Sequence, residues 1–442
     1  MKILVIGSGG REHALVWALR KGRNADLNIV CAPGNAGIAE IAECVQISPT
    51  NTNALAGLAE ERGIDLTIVG PEAPLAEGVV DEFERRGLLI AGATRAAARL
   101  EASKAFAKDF MARHNVPTAR YRTASSPEEA RMILRRGEFG GADSPVVVKA
   151  DGLAAGKGVI VARSRAEAEE AINDLMVESV VGAEAARRVV VEEALAGREV
   201  SLLLFSDGRD YALMPAARDH KRIGESDTGP NTGGMGAITD ASVLDEETLQ
   251  QIVREIVEPT LEGASADGFP FRGVLFIGLM LTPEGARVLE YNVRLGDPEA
   301  QAILVRLESD LVEVMERVAR GRGLDRAAVR WSDESSACVV LAARGYPARP
   351  HLGDGIEGLT RASEIPGVQI FHAGTAVSSD GQIVTSGGRV LGVTSSAANL
   401  DDALRRCYGA IDRISWDGMQ YRRDIGIFRR GEDQEEGERQ QA

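Results

Sequence analysis

Over residues 1 to about 100 short apolar runs alternate with amphipathic stretches, and no other feature narrows the possible folds as much. Apolar runs at 3–6, 27–31, 45–47, 66–69 and 88–91 are short and nearly continuous, as expected of strands buried on both faces. With helical segments between most of them, the pattern predicts a parallel, doubly wound sheet in a Rossmann-like α/β unit. Ligand sites in such sheets lie in loops at the carboxyl ends of the strands. Gly7-Ser8-Gly9-Gly10 and Gly70-Pro71-Glu72-Ala73-Pro74 both fall there.

Further along, Ser103-Lys104-Ala105-Phe106 opens a helix closed by Asn115 and Pro117. Ser126-Pro127-Glu128-Glu129 and Ser164-Arg165-Ala166-Glu167 read as capping boxes. Between them lie a strand at 146–149, a glycine-rich loop and a strand at 159–162, so residues 120 to 190 predict a small α+β subdomain. The stretch Asp219 to Gly236 is too polar and glycine-rich to be a packed element and is expected to be a long functional loop. Strands at 335–343, 370–373, 383–385 and 389–394, followed by a helix near 400–414, predict a compact β-rich unit. The charged end of the chain reads as a disordered tail. The expected division is 1–101, 102–325 (with the subdomain at about 120–190), 326–427 and a tail at 428–442.

A formal net charge of -15 opposes broad binding to nucleic acid or to an anionic membrane. Any phosphate-bearing ligand must therefore meet a locally basic or amide-rich pocket. Cys31, Cys44, Cys338 and Cys407 have neither zinc-finger nor redox spacing, which fits a reducing cytoplasm. The first apolar run is too short for a signal-peptide core and no other could span a bilayer, so neither secretion nor membrane insertion is expected.

The first glycine loop sits where backbone amides at a helix N-terminus attract phosphate. It equally suits a simple tight turn. A dinucleotide fingerprint wants glycine or alanine at its sixth position, where this chain has Glu12, and no acidic residue follows the second strand. A nicotinamide or flavin dehydrogenase is disfavoured. In Lys149-Ala150-Asp151-Gly152-Leu153-Ala154-Ala155-Gly156-Lys157-Gly158, small residues between two strands suit a flap whose amides, with Lys149 and Lys157, close over a polyphosphate. A plain hairpin would have the same composition.

At 189–199 an apolar strand runs into the turn Glu192-Glu193-Ala194-Leu195, which offers backbone groups to an adenine edge and Glu199 to ribose hydroxyls. Glu290 and Asn292 flank Tyr291 on a strand, so their oxygens share a face and suit magnesium held between protein and phosphates. Arg294 adds a permanent fork for phosphate or carboxylate. Gly296-Asp297-Pro298-Glu299 makes a turn with further acids. A lone histidine is more often structural than catalytic, and no catalytic role is assigned to His220.

From Gly7 to about Gly426 these segments, in order, resemble the glycinamide ribonucleotide synthetases (phosphoribosylamine–glycine ligases) of the ATP-grasp superfamily. The resemblance rests on residues 7–15, 32–37, 70–75, 103–106, 149–158, 219–222, 227–236 and 294–299. It implies a Rossmann-like N-terminal domain, a pair of ATP-grasp subdomains clasping ATP, and a small C-terminal β domain. It also implies ligation of glycine to 5-phosphoribosylamine with cleavage of ATP, in purine synthesis. Lys104, Lys149, Gly156, Lys157, Gly158, Glu192, Glu193, Leu195 and Glu199 would hold ATP. Glu290 and Asn292 would hold Mg²⁺ or Mn²⁺, and Arg294 and Lys149 would act in catalysis. Gly9, Gly10, Glu72, Asp219, Lys221, Asn231, Arg294 and Asp297 would face the other substrates.

Where the family usually has Glu-Phe-Asn-Cys-Arg-Phe, this chain has Tyr291, Val293 and Leu295, and Ile238 replaces a frequent aromatic residue. These are packing positions. The strand at 273–280 lacks the further acidic metal ligand of many relatives. A monomer is expected, with only small-molecule partners. The rival readings are another ATP-grasp ligase with a different acid or amine, and a nucleotide-binding regulator without turnover.

Overall fold

The structure is a computed structural model that describes residues 1–22, 27–154, 158–182, 184–325 and 329–428. The predicted tail beyond residue 428 lies outside these residues. At the N-terminus β1 (Lys2–Gly7), β2 (Asn28–Pro33), β3 (Glu43–Cys44), β4 (Leu66–Val69) and β5 (Ile90–Ala91) form a sheet of order β3-β2-β1-β4-β5. Every neighbouring pair is parallel. Ile3, Leu4, Val5 and Ile6 are all buried, because helices cover both faces. The third strand ends earlier than its apolar run suggests: Ile47 N–H donates to Val45 O, a turn that leaves the ladder.

β6 (Tyr121–Ala124), β7 (Val146–Ala150), β8 (Val159–Ala162) and β9 (Val189–Glu193) make an antiparallel sheet of order β6-β9-β7-β8. Helices Pro127–Arg135 and Arg165–Ile172 pack on it through Ile133, Leu134, Ala168 and Ile172. Both begin where expected. Ser126 Oγ accepts from Glu129 N–H at 3.1 Å and Ser164 Oγ from Glu167 N–H at 3.3 Å. A second antiparallel sheet contains β10 (Arg198–Asp207), β11 (Tyr211–Leu213), β16 (Arg272–Thr282) and β17 (Gly285–Asn292), in the order β11-β10-β16-β17.

The polar stretch between these strands is not the unstructured loop its composition predicts. It holds β12 (Arg218–Asp219), β13 (Arg222–Gly224), β14 (Thr228–Asn231) and β15 (Gly236–Thr239). β13 and β14 pair as an isolated hairpin, whereas β12 and β15 extend a five-stranded sheet completed by β18 (Ser335–Ala342), β19 (Val368–His372) and β22 (Arg389–Ala397), β20 (Thr375–Val377) and β21 (Ile383–Thr385) pairing apart from it. Gly236 needs its missing side chain for this, since a Cβ there would meet Cys338 O at 2.8 Å. Helix Leu400–Ile411 closes the sheet through Cys407, Ala410 and Ile411.

One apolar core joins the N-terminal sheet to the central one: Leu4, Ile6 and Phe83 share it with Phe110, Leu275, Ile277 and Val288. Within it Phe110 is fully buried among Phe269 (ring centroids 5.9 Å), Tyr291 (6.4 Å, edge-on) and His114 (4.8 Å). Among the described residues no helix is long and apolar enough to cross a membrane. Phe110→Ala is expected to destabilise this shared core by about 3–5 kcal/mol, read as a lower urea midpoint with native-like circular dichroism before the transition.

Candidate active site

In the sheet order β3-β2-β1-β4-β5 the chain reverses direction of growth between β1 and β4, so the loops after these strands flank a crevice. Glu12 fills it. Its Oε2 accepts from Gly9 N–H at 2.5 Å and its Oε1 from Arg11 Nε at 2.6 Å. A Cβ on Gly7 or on Gly70 would overlap Glu12, so both glycines make room for this one carboxylate. One of the amides that would meet a dinucleotide's pyrophosphate, Gly9 N–H, is thus bound from within. Arg11 reaches across to donate to Leu295 O at 2.9 Å.

The predicted flap begins beside the predicted metal strand. Lys149, at the end of β7, donates from Nζ to Leu289 O at 3.1 Å. That carbonyl is available because β16 and β17 slip register between Gly278↔Glu290 and Leu279↔Val288, leaving Leu289 as a bulge. Glu192 on β9 forms ion pairs with both Lys149 and Lys108, and all three side chains are buried. Lys108 also donates to Thr118 Oγ1 at 2.8 Å. Burial pushes the Lys108 ammonium down to about 8, with Lys149 adding to the fall and Glu192 opposing it. Burial of Glu192 disfavours its charge, but the two lysines outweigh this and hold the carboxyl below its usual range.

Asp151, the first flap residue after β7, caps the helix Lys104–Arg113: Oδ1 accepts from Ser103 Oγ at 2.9 Å and from Ala105 N–H at 2.8 Å. Arg188 grips Oδ2 with Nε at 2.9 Å and NH2 at 2.7 Å. Gly158 O accepts from Ala150 N–H at 2.7 Å and closes the hairpin. Gly156 and Lys157 lie outside the described residues.

Glu290 lies 4.0 Å from Lys104 Nζ, and Asn292 Oδ1 accepts from Arg294 NH2 at 3.2 Å. Arg294 also pairs with Glu72 (3.2 Å) and Glu101 (2.9 Å). Burial alone would raise the Glu290 carboxyl, yet Lys104, Lys149, Lys221 and Arg294 together hold it low. Glu72 is also held low, by Arg294 and Arg11 against its own burial. Among the described residues no group of three or more His, Cys, Asp or Glu side chains is gathered as a metal cage. Glu290 and Asn292 offer two hard oxygen donors on one strand face, which fits a cation completed by phosphate and water oxygens.

Lys104, Lys149, Glu192, Glu290, Asn292, Arg294 and Glu72 thus form one connected site. Glu199 and Lys221 pair at 2.5 Å on a neighbouring wall with Asp219. Gly9, Gly10 and Asp297 make a third, in which Asp297 Oδ1 accepts from Gln301 at 2.8 Å and Asp297 faces Arg389 at 3.5 Å. Leu195 is half-buried in the turn between β9 and β10, and Asn231 is exposed at the end of β14. Glu193 turns to Arg120 at the surface, 2.6 Å away. His220 is buried, accepts from Gly426 N–H at 3.0 Å and stacks on Phe428, in keeping with a structural role.

Lys108, Glu101 and Arg389 were not singled out as site residues by the sequence, and Asp151 was read only as part of the flap. Lys108 and Glu101 each carried a signal, because they fall on buried helix stripes, with Ala105 and Met111 and with Ala97 and Leu100, where an apolar residue would be ordinary. Arg389 carried none, and neither did the capping role of Asp151, since their partners are remote in sequence.

The hairpin of β7 and β8 meets, through Lys149, the strand that bears Glu290 and Asn292, and with an ATP-grasp domain model matching residues 102–300 this makes the chain an ATP-grasp enzyme, with ATP as its substrate. Family models for phosphoribosylglycinamide synthetase match residues 1–101 (N domain), 102–300 (ATP-grasp domain) and 336–427 (C domain). The chain belongs to the phosphoribosylglycinamide synthetase family. It is 47% identical over 426 residues to a phosphoribosylamine–glycine ligase of Brucella melitensis, covering 96% of this chain and 97% of that one. It is 49% identical over 429 residues to the ligase of that name from Vibrio vulnificus, covering 96% and 98%. The crystal structure of the Thermotoga maritima phosphoribosylamine–glycine ligase superposes with a TM-score of 0.81 at 33% identity, covering 96% of this chain and 100% of that one. A biotin carboxylase from Campylobacter jejuni shares the fold at a TM-score of 0.70 and 18% identity, covering 95% and 92%.

The residues that depart from the usual family pattern are buried packing groups: Tyr291, Val293, Leu295 and Ile238 all lie in the core, and Tyr291 OH meets Thr260 Oγ1 at 2.7 Å. Glu299 is different. Burial, reinforced by Asp219, raises its carboxyl to about 7. Between the unfolded value near 4.5 and about 7 the folded state binds the extra proton, so this group lowers stability as pH rises through that window. Glu299→Gln is therefore expected to gain stability relative to the parent between pH 5 and pH 8, measured as the difference in urea midpoints at the two pH values.

Proposed function

We propose that the chain ligates glycine to 5-phosphoribosylamine, cleaving ATP to ADP and phosphate and releasing glycinamide ribonucleotide, through a glycyl phosphate intermediate. The observation that carries this reading is the contact of Lys149 with Leu289 O, which sets the polyphosphate hairpin against the strand of Glu290 and Asn292. Family membership, and relatives named for this ligation, support the choice of substrates.

Glycine carboxylate is a poor electrophile, and its conversion to an acyl phosphate supplies a leaving group. A carboxylate oxygen attacks the γ-phosphorus of ATP and the bridging bond to ADP breaks. The amine of phosphoribosylamine then attacks the carbonyl carbon, phosphate leaves, and the nitrogen loses a proton. Lys104 and Lys149, with Arg294, lower the repulsion between the two approaching anions. Glu290 and Asn292 would hold Mg²⁺ or Mn²⁺, whose charge, when bound, neutralises the nucleotide phosphates. The ion pair with Glu192 fixes where the Lys149 ammonium lies. The turn at Glu192, Glu193 and Leu195 would receive adenine, and Glu199 the ribose. Gly9, Gly10, Glu72, Asp219, Lys221, Asn231 and Asp297 would face the phosphoribosyl and glycine groups.

The division near residue 101 and after residue 325, the action of a single chain as a monomer, and residence in the cytoplasm belong to the same reading. Family models that meet at residues 101 and 102 support the first boundary, and four free cysteines, Cys31, Cys44, Cys338 and Cys407, fit a reducing compartment.

Glycine labelled with ¹⁸O in its carboxylate should deliver one label into released phosphate. Unlabelled phosphate would exclude the acyl phosphate. Glu290→Ala and Lys149→Ala are expected to reduce glycine-dependent phosphate release by at least about 10²-fold, with thermal unfolding little changed for Glu290→Ala and cooperative but earlier for Lys149→Ala, which leaves the buried Glu192 with Lys108 alone. Loss of cooperative unfolding instead would mark both residues as structural.

A further inference from the structure

The hairpin β13–β14 stands almost alone. Its second strand is exposed throughout, and two-stranded hairpins of this size are marginal in water. Its tip is also conformationally costly, because Ser226 and Asp227, neither a glycine, adopt φ of 55° and 52°. Something outside the hairpin must hold this shape.

That support comes from the end of the described chain. Arg422 is completely buried although it is an arginine on a segment without regular structure. Its NH1 donates to Asp227 Oδ1 at 2.6 Å and to Arg222 O at 3.1 Å. Its Nε and NH2 grip the two oxygens of Asp424, each at 2.8 Å. Asp424 Oδ2 in turn accepts from Ser226 N–H at 2.7 Å. The segment is bolted to the C-terminal helix, since Tyr408 OH donates to Arg422 O at 3.0 Å. At the hairpin's base, Thr232 N–H donates to Lys221 O at 2.7 Å, so the hairpin's position is passed to Lys221 and its partner Glu199.

We propose that Arg422 is a positioning residue for the phosphoribosyl substrate, clamping the hairpin 222–231 through Asp227 and Asp424 so that Asn231 and Lys221 are presented to it. This rests on the assignment of Asn231 and Lys221 to that substrate. The clamp acts in two ways. It fixes a strained tip before the substrate arrives, which removes an ordering cost from binding. It also pairs Asp227 with a fixed cation at 2.6 Å, so that the charge at the hairpin's tip is not left unmatched.

The test is steady-state kinetics of the full chain with each of the three substrates varied in turn. Arg422→Met is expected to raise KM for phosphoribosylamine about tenfold or more, with kcat and KM for ATP within about twofold of the parent. Arg422→Lys should recover part of the loss, because it keeps a charge for Asp227 and gives up the fork to Asp424. Asp424→Asn, which leaves the buried arginine in place, should raise the same KM in a chain that still unfolds cooperatively. An unchanged KM for phosphoribosylamine in Arg422→Met and Asp424→Asn overturns the clamp, as does an equal rise in every KM. Lys221→Ala and Asn231→Ala separate the two levels of the argument. If both leave KM for phosphoribosylamine unaltered, the substrate assignment fails and the clamp with it; if they raise it while Arg422→Met does not, the clamp alone fails.

Discussion

The Arg294 guanidinium sits where three parts of the chain converge, and the site depends on it. It follows β17 of the central sheet, binds Asn292 on that strand, and pairs with Glu101 from the helix Arg95–Ala102 and with Glu72 at the start of the short helix Glu72–Ala76 that follows β4. Each carboxylate is partly or wholly buried, and Glu101 is driven up by burial with Arg294 as the main force opposing it. Removing one partner from such a buried cluster leaves an uncompensated charge, which is why the geometry is held so firmly. The crevice of the N-terminal sheet and the face of Glu290 and Asn292 are therefore kept in one relation to each other.

A second cluster of charges does the same for the hairpin side of the cleft. Lys108, Glu192 and Lys149 carry a net positive charge in a dry setting, shared between a helix, β9 and β7. Polyphosphate is the complement of that imbalance. On the facing wall Lys104 is set against Glu290, and Arg294 against Glu72 and Glu101, so there each cation is already matched by carboxylates.

Much of the local structure was legible from residues alone. The parallel strands, the helix caps at Ser126 and Ser164, and the pairing of Glu290 with Asn292 on a strand all follow from periodicity and short-range hydrogen bonding. The stretch 219–236 was misread, for an identifiable reason. Its strands β12 and β15 are only two and four residues long, and they exist because residues 335–342 pair with β15, which in turn pairs with β12. The clamp by Arg422 was invisible for the same reason, since its partner Asp227 lies far away in the chain.

The sequence by itself determined the class of fold, the order of the elements, and which residue types could meet phosphate, metal and carboxylate, because these depend on local pattern and side-chain chemistry. Only the tertiary structure decided which charges are spent on one another: Glu12 on Gly9 and Arg11, Glu192 on two lysines, Glu193 on the surface Arg120. It also decided that a bulge at Leu289 offers its carbonyl to Lys149 and that the first and central units share a single core. Such outcomes depend on distances between residues remote in the chain, and burial, which sets the strength of each charge pair, exists only once those residues have packed.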